Sequence, residues 1–424
     1  YSKDETKYIE LHKNYRYLIE KFVQLQPQGL EGIDADEFQY LIALIDWLHV
    51  LYSASDALHY GLDPALGMQI SDQYLVEVIY ADSFSEKQSI YAQERANDRL
   101  GIGVNKDDAV WSPTSVTDFI ASLDKAFIED LGFNFSFMIN LLQVLSCWAE
   151  FNPGCEIKAY YTANGKEIGE ICTKIIKDFD SGQTDAILRF LTLKSDEVLR
   201  ILDQVKDCDD IPIWEHRKRF SRYGLKPLIL IGDIYHWGPY SAKKSETIWA
   251  GNLTQASLPA DLQSPIIQKI IDQEKQRIDK ALEKKAYEIV RRFTDHVINN
   301  CILHDRDRAG EHPTDLGDYD VLGFYSEKNV ILNIECKDNL PPHCLKDATR
   351  LKRTIFGGGD GEGHFRQINK RKDYLLKNVH KIAESLHWPI GSSNIPKVET
   401  IYLTRDTFWW TRFPPKVTGV TFLQ

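Results

Sequence analysis

The strongest constraint on the fold is a period-two run near the C-terminus. In residues 330–337, Val330, Leu332, Ile334 and Cys336 fall on one side and Ile331, Asn333, Glu335 and Lys337 on the other, the alternation of a strand. Upstream, residues 319–325 form a second β-rich run, and Ser326-Glu327-Lys328-Asn329 supplies a four-residue hairpin loop. Pairing Tyr325 with Val330 sets Asp320 opposite Glu335 and Asp318 opposite Lys337. Side chains so opposed lie roughly 4.5–5.5 Å apart at Cβ, where two like charges destabilise a hairpin unless something positive sits between them.

A hard divalent cation meets that need, because Mg²⁺ accepts one or two carboxylates and completes its shell with water and phosphate oxygens. Lys337, two residues from Glu335 on the same face, adds an ammonium to the same point. Two carboxylates, a lysine and a cation suit phosphodiester hydrolysis: the cation acidifies water and neutralises developing charge, and the lysine holds the attacking water or the pentavalent transition state. Asp320 with Glu335-Cys336-Lys337, in the setting "GDYDVLGF…LNIECKD", resembles the active site of the PD-(D/E)xK nuclease superfamily. Tyr319 stands where the proline of the motif's name would be, a position that varies in the family. The resemblance implies a restriction-endonuclease-like α/β domain whose core runs helix, three strands, helix, strand. It further implies Mg²⁺ or Mn²⁺ held by Asp320, Glu335 and the backbone carbonyl of Cys336, with Lys337 positioning the nucleophilic water. DNA is the expected substrate in preference to RNA, and a restriction or anti-phage defence role follows by analogy.

The flanking sequence has the elements this order requires. Ile267, Ile271, Ile278, Leu282, Ile289, Phe293 and Val297 recur at spacings near 3.6, which predicts one long helix or two in succession before the hairpin. Members of the family carry a further acid on this helix. Glu288 is the candidate here, and a solvated helix glutamate is an equal reading. After the hairpin, "HFRQINKRKDYLLKNVHKIAESL" predicts a helix with Ile368, Leu375, Val379 and Ile382 on one face, and "KVETIYLT" predicts the returning strand. Gln367 and Lys370 on that helix are secondary site candidates, since relatives use a Gln or Lys there to reach the site or the phosphates.

Charge adds a separate argument. The chain is acidic, net −11 with pI near 5.6, which argues against a general nucleic-acid coat. Residues 343–381 nevertheless hold ten Lys or Arg against four acids, a local +6 that leaves −17 elsewhere. Arg366, Lys370, Arg371, Lys352 and Arg353 are the expected contacts to a nucleic-acid backbone passing the site. Within this patch "FGGGDGEGHF" has five glycines and no Gly-Lys-Ser/Thr, so it reads as a flexible connector. His364 at its end is a candidate to assist catalysis or touch a phosphate, with an ordinary surface histidine the preferred reading.

At 424 residues the chain should hold two or three domains. The expected division is a mainly α-helical region at 1–210 for recognition, regulation or assembly, a connecting segment with a buried strand at 211–265, and the nuclease domain at 266–424. Asn164-Gly165 is a candidate hairpin turn, "DQVKDCDDIPIWE" a connection, and "KPLILIGDIYHWGPY" a buried strand and turn. The apolar stretch "YLIALIDWLHVLY" is too short to span a bilayer and reads as a buried helix. Seven cysteines without CxxC spacing argue for reduced thiols, no structural zinc and a cytoplasmic protein. No secretory signal appears, and a first residue of Tyr1 leaves the true N-terminus open. No membrane contact is expected, and a homo-oligomer or a partner protein would engage the N-terminal region. The alternative from another class is a non-catalytic nucleic-acid-binding or assembly protein that keeps the nuclease fold, which the intact Asp320, Glu335 and Lys337 disfavour.

Overall fold

The computed structural model describes residues 3–26, 29, 31–59, 66–73, 75–80, 84, 86–91, 93, 113–196, 220–254, 256–257, 262, 264–302, 316–339, 345–357, 363–391, 393–406, 408–413 and 420–423. The "DQVKDCDDIPIWE" segment and residues 358–362 of the glycine-rich run lie outside them. The chain divides into two units, residues 1–79 with 112–274 and residues 80–111 with 275–424. The segment expected to connect domains, 211–265, therefore lies within the first unit, and 80–111 joins the second.

The first unit is mainly helical: α1 (Lys3–Leu25), α2 (Ala35–His59), α3 (Pro113–Leu131), α4 (Phe135–Ser146), α5 (Trp148–Phe151), α6 (Gly165–Ile175), α7 (Thr184–Leu191), α8 (Phe220–Leu225) and α9 (Pro239–Thr254). Strands β1 (Gly67–Ile70) and β2 (Val76–Ile79) form an antiparallel hairpin. Strands β3 (Tyr161–Asn164), β4 (Ile229–Ile231) and β5 (Ile234–Trp237) form an antiparallel sheet in the order β3-β5-β4.

Three local expectations are corrected here. Asn164-Gly165 opens a helix instead of turning a hairpin, because the Asn164 side chain accepts the Glu167 N–H at 2.9 Å and so caps α6. "KPLILIGDIYHWGPY" makes two strands about a Gly232 with φ +58, and Leu230 and Ile231 are exposed. The apolar stretch in α2 is only half-buried: Ile45 and His49 are covered, while Tyr40, Leu44, Trp47 and Val50 face outward. Its apolar residues occur all round the helix, and α1 covers one side only, through Tyr17 and Leu18.

The second unit is built on α10 (Pro265–Arg291), whose early turns belong to the first unit. Ser264 caps it, its hydroxyl accepting the Ile267 N–H at 3.1 Å, with Pro265 at the first helical position. Then come β6 (Val297–Cys301), β7 (Tyr319–Tyr325), β8 (Val330–Lys337), α11 (Leu345–Phe356), α12 (Gly363–Lys377), α13 (Val379–Leu386), β9 (Lys397–Thr404), α14 (Trp409–Arg412) and β10 (Val420–Leu423). The sheet is five-stranded and mixed, in the order β10-β9-β8-β7-β6. Pairings β6–β7 and β7–β8 are antiparallel, while β8–β9 and β9–β10 are parallel.

The hairpin has the expected register, Tyr325 pairing with Val330 and Val321 with Ile334, so Asp320 and Glu335 stand at the next position. The residues predicted as one helix after the hairpin form two, α12 and α13, divided at Asn378. Both present the expected face, Leu375, Val379 and Ile382 packing on Leu322, Phe324 and Ile331 of the sheet. On the other side α10 lays Leu282, Ala286 and Val290 against Val321, Ile334 and Cys336. That seam replaces part of the predicted one: Ile289 and Phe293 are exposed, and Val297 opens β6. Steps of four carry the buried stripe from Leu282 to Val290, where the sheet receives it.

Gly323 leaves room for that contact, since a Cβ there would sit 2.9 Å from Val290 Cγ1. Gly323→Ala should therefore destabilise the second unit by about 1–3 kcal/mol, the cost of overpacking a filled core, read as a lower urea midpoint.

Candidate active site

The end of the β7–β8 hairpin gathers charge in a buried place. Asp320 and Glu335 are 5% and 3% exposed, and Arg371, from α12, is 3% exposed. Asp320 Oδ2 accepts the backbone N–H of Cys336 at 2.7 Å. Lys337 Nζ lies 2.7 Å from Glu335 Oε1 and 3.5 Å from Asp320 Oδ2. The other oxygen of Glu335 accepts from an Arg371 Nη, whose Nε donates to the Leu316 carbonyl at 2.7 Å. Alternation along β8 explains the placement: Glu335 and Lys337 share the α12 side with Ile331, and Cys336 packs against α10.

This arrangement shifts the titration of its members. The Asp320 carboxyl is pushed up to about 7 by burial and by the Glu335 carboxylate, against the opposing pull of Lys337 and the Cys336 N–H. For Lys337, burial works to lower the pKa, but Glu335 and Asp320 outweigh it and hold the ammonium above its usual range. Burial raises the Cys336 thiol, which stays protonated.

Of the residues singled out from sequence, Asp320, Glu335, Lys337 and Cys336 meet at one point. Asp318 and Lys337 lie beyond the paired ladder. Gln367 stands beside the site, its Nε2 at 3.5 Å from the Leu316 carbonyl. Arg371 is corrected: instead of offering a surface contact to nucleic acid, it is an internal counter-ion to Glu335. Arg353 and Arg366 are exposed, Lys370 is half-buried, and Lys352 places its ammonium 4.2 Å from the centre of the Trp410 ring.

Glu288 is not brought in. It is exposed and lies 3.8 Å from Lys284 along the helix. Glu283 holds the inward position instead: burial raises its pKa, an Asn300 hydrogen bond opposes, and both Lys337 and Asp320 lie within its electrostatic reach. At about 100° per residue, Glu283 falls roughly 60° from the centre of the Leu282–Ala286–Val290 seam and Glu288 about 160° from it. Choosing Ile289 and Phe293 as seam residues hid that difference.

Within electrostatic reach of Lys337 lies a second polar group, one that the sequence favoured as an ordinary surface histidine. His364 is half-buried, its Nδ1 at 2.9 Å from the Tyr402 hydroxyl, which also meets Asn339 Nδ2 at 3.0 Å. Tyr402 pairs with Glu335 across the parallel β8–β9 ladder. An aromatic residue in the returning strand at the level of the acid-x-Lys was the available signal.

No family model matches the chain, and no curated protein or solved structure is significantly similar to it. Among the described residues no helix is long and apolar enough to cross a membrane. The five described cysteines are free thiols.

Two outcomes follow. Arg371→Leu leaves Glu335 buried with Lys337 alone and should cost about 3–5 kcal/mol in urea unfolding, while adding Glu335→Leu should recover part of the loss. Between its ordinary 3.8 and about 7, Asp320 keeps in the folded state a proton that the unfolded chain releases. Stability should thus fall as pH rises through that window, and Asp320→Asn should flatten this dependence in melting curves recorded from pH 4 to 8.

Proposed function

We propose that the chain is a metal-dependent nuclease of the PD-(D/E)xK type acting on DNA, with Asp320, Glu335 and Lys337 as its catalytic residues. The observation that carries this reading is the meeting of two adjacent buried carboxylates with a lysine at the open end of a mixed sheet. The element order around it, helix, three antiparallel strands, helices, parallel strand, supports the same reading.

The donor set fits a hard divalent cation. Among the described residues no three His, Cys, Asp or Glu side chains form a cage, so Asp320 and Glu335 would hold the ion with the Cys336 carbonyl and leave the remaining positions to water and substrate. The N–H and C=O of one residue leave a strand on the same side, and the Cys336 N–H already points to Asp320. When bound, Mg²⁺ or Mn²⁺ supplies charge neutralisation at the phosphate and acidifies water. Asp320, whose carboxyl is pushed up to about 7, would hold that ion as the carboxylate. Lys337, held by both carboxylates, orients the attacking water and donates to the developing charge. Arg371 keeps Glu335 from rotating away. The exposed Arg350, Arg353, Arg366, Lys377 and Lys381 give a phosphate backbone somewhere to lie.

One observation favours the second reading, a nuclease-like fold that binds or assembles without cutting. Both oxygens of Glu335 are already engaged, by Lys337 and Arg371, so two cations balance two carboxylates without a metal.

Cleavage of supercoiled plasmid and of single-stranded DNA in Mg²⁺ or Mn²⁺ separates the two. The nuclease reading expects divalent-dependent cutting that falls about 10²–10³-fold or more in Asp320→Ala and in Lys337→Ala. Metal-independent binding with no cutting by any form would move the assignment to the non-catalytic reading.

A further inference from the structure

We propose that His364 is a substrate-contacting residue, its Nε2–H donating a hydrogen bond to a non-bridging oxygen of the phosphodiester bound at Asp320, Glu335 and Lys337. This rests on the nuclease reading of that site and adds to it a residue on a different element. His364 is the second residue of α12, and its ring lies beside that of Tyr402, centroids 6.1 Å apart and planes within 26°.

The Nε2–H tautomer, one of the two that these partners allow, is the one proposed. Tyr402 is fully buried, and its hydroxyl accepts a hydrogen from Asn339 Nδ2 at 3.0 Å. In this proposal the hydroxyl's own hydrogen goes to His364 Nδ1, 2.9 Å away, and a neutral ring so engaged carries its proton on Nε2. Among the described residues Nε2 has no hydrogen-bond partner, and it lies on the edge of the ring away from Tyr402.

The ring is held neutral by its surroundings. Burial lowers its pKa, Lys337 from β8 and Arg371 from its own helix lower it further, and Glu335 from β8 opposes them. Tyr402 is the group that faces it from β9, and burial keeps that phenol protonated. A neutral donor is what this position can tolerate. A protonated ring would set a third cation against Lys337 and Arg371, whereas an uncharged N–H can approach a phosphate oxygen without repelling either.

The test combines cleavage kinetics with ¹⁵N NMR of the histidine rings in the full chain. His364→Ala is expected to lower kcat/KM about 10- to 100-fold, the weight of one hydrogen bond to a charged group. Mn²⁺ affinity by calorimetry should not change, because no metal ligand is touched. His364→Gln, which keeps an amide donor, should recover part of the loss. Tyr402→Phe should mix the two tautomers in the His364 signal, where the wild type reads Nε2–H alone. A wild-type rate and KM in His364→Ala would overturn the proposal, as would an Nδ1–H signal in the wild type. If the wild type cuts no DNA, the nuclease reading fails separately. The His364 Nε2 signal on addition of a DNA oligonucleotide with Ca²⁺ then decides: movement keeps His364 as a phosphate contact, and none removes it.

Discussion

The buried pair between Arg371 and Glu335 is the contact on which the second unit's geometry turns. It joins α12 to β8, and the same guanidinium reaches the Leu316 carbonyl just ahead of β7, so three separate segments are referred to one planar group. A buried carboxylate without such a partner would take up a proton or draw in water. With it, Glu335 offers a fixed edge to Lys337, and the lysine is held between two acids. Guanidinium suits this role better than ammonium because it presents several donors in a rigid plane.

The strands were the most legible part of the sequence. Alternation over 330–337, with the β-rich run at 319–325 and the four-residue loop between them, defined both strands and their register, since a slip of one residue would turn Glu335 and Lys337 into the α10 face. Residues 397–404 read equally well. What could not be read was how a helix turns against its sheet. The choice between the Val290 and Ile289 rows decides whether Glu283 or Glu288 looks inward, and both rows are apolar. Arg371 shows the same difficulty in charge. Within a basic run it looked like its neighbours, but it lies four residues from Leu375 and three from Ile368, on the buried stripe. A cation on the apolar stripe needs an acid beneath it, and Glu335 is that acid.

In the first unit the difficulty was different in kind. Asn164-Gly165 suits a hairpin and a helix start equally, and the Asn164 side chain decides for the helix by accepting the backbone N–H three positions on. The run in α2 was read by its composition, whereas burial depends on what stands opposite. With α1 on one side only, Tyr40, Leu44, Trp47 and Val50 stay outside. Hydrophobic content bounds how much can be buried without saying how much is.

The parallel pairing of β8 with β9 has a consequence for the order of assembly. The β7–β8 hairpin closes through contacts near in sequence, but β9 reaches Glu335 only after α11, α12 and α13 have been made. Contacts of such separation form slowly, and during synthesis they wait until residues 397–404 have left the ribosome. Until then the hairpin holds its paired acids without Arg371, His364 or Tyr402, and hence without the groups that balance and frame them. A nascent chain therefore carries the paired acids before it carries their surroundings, an ordering set by topology alone.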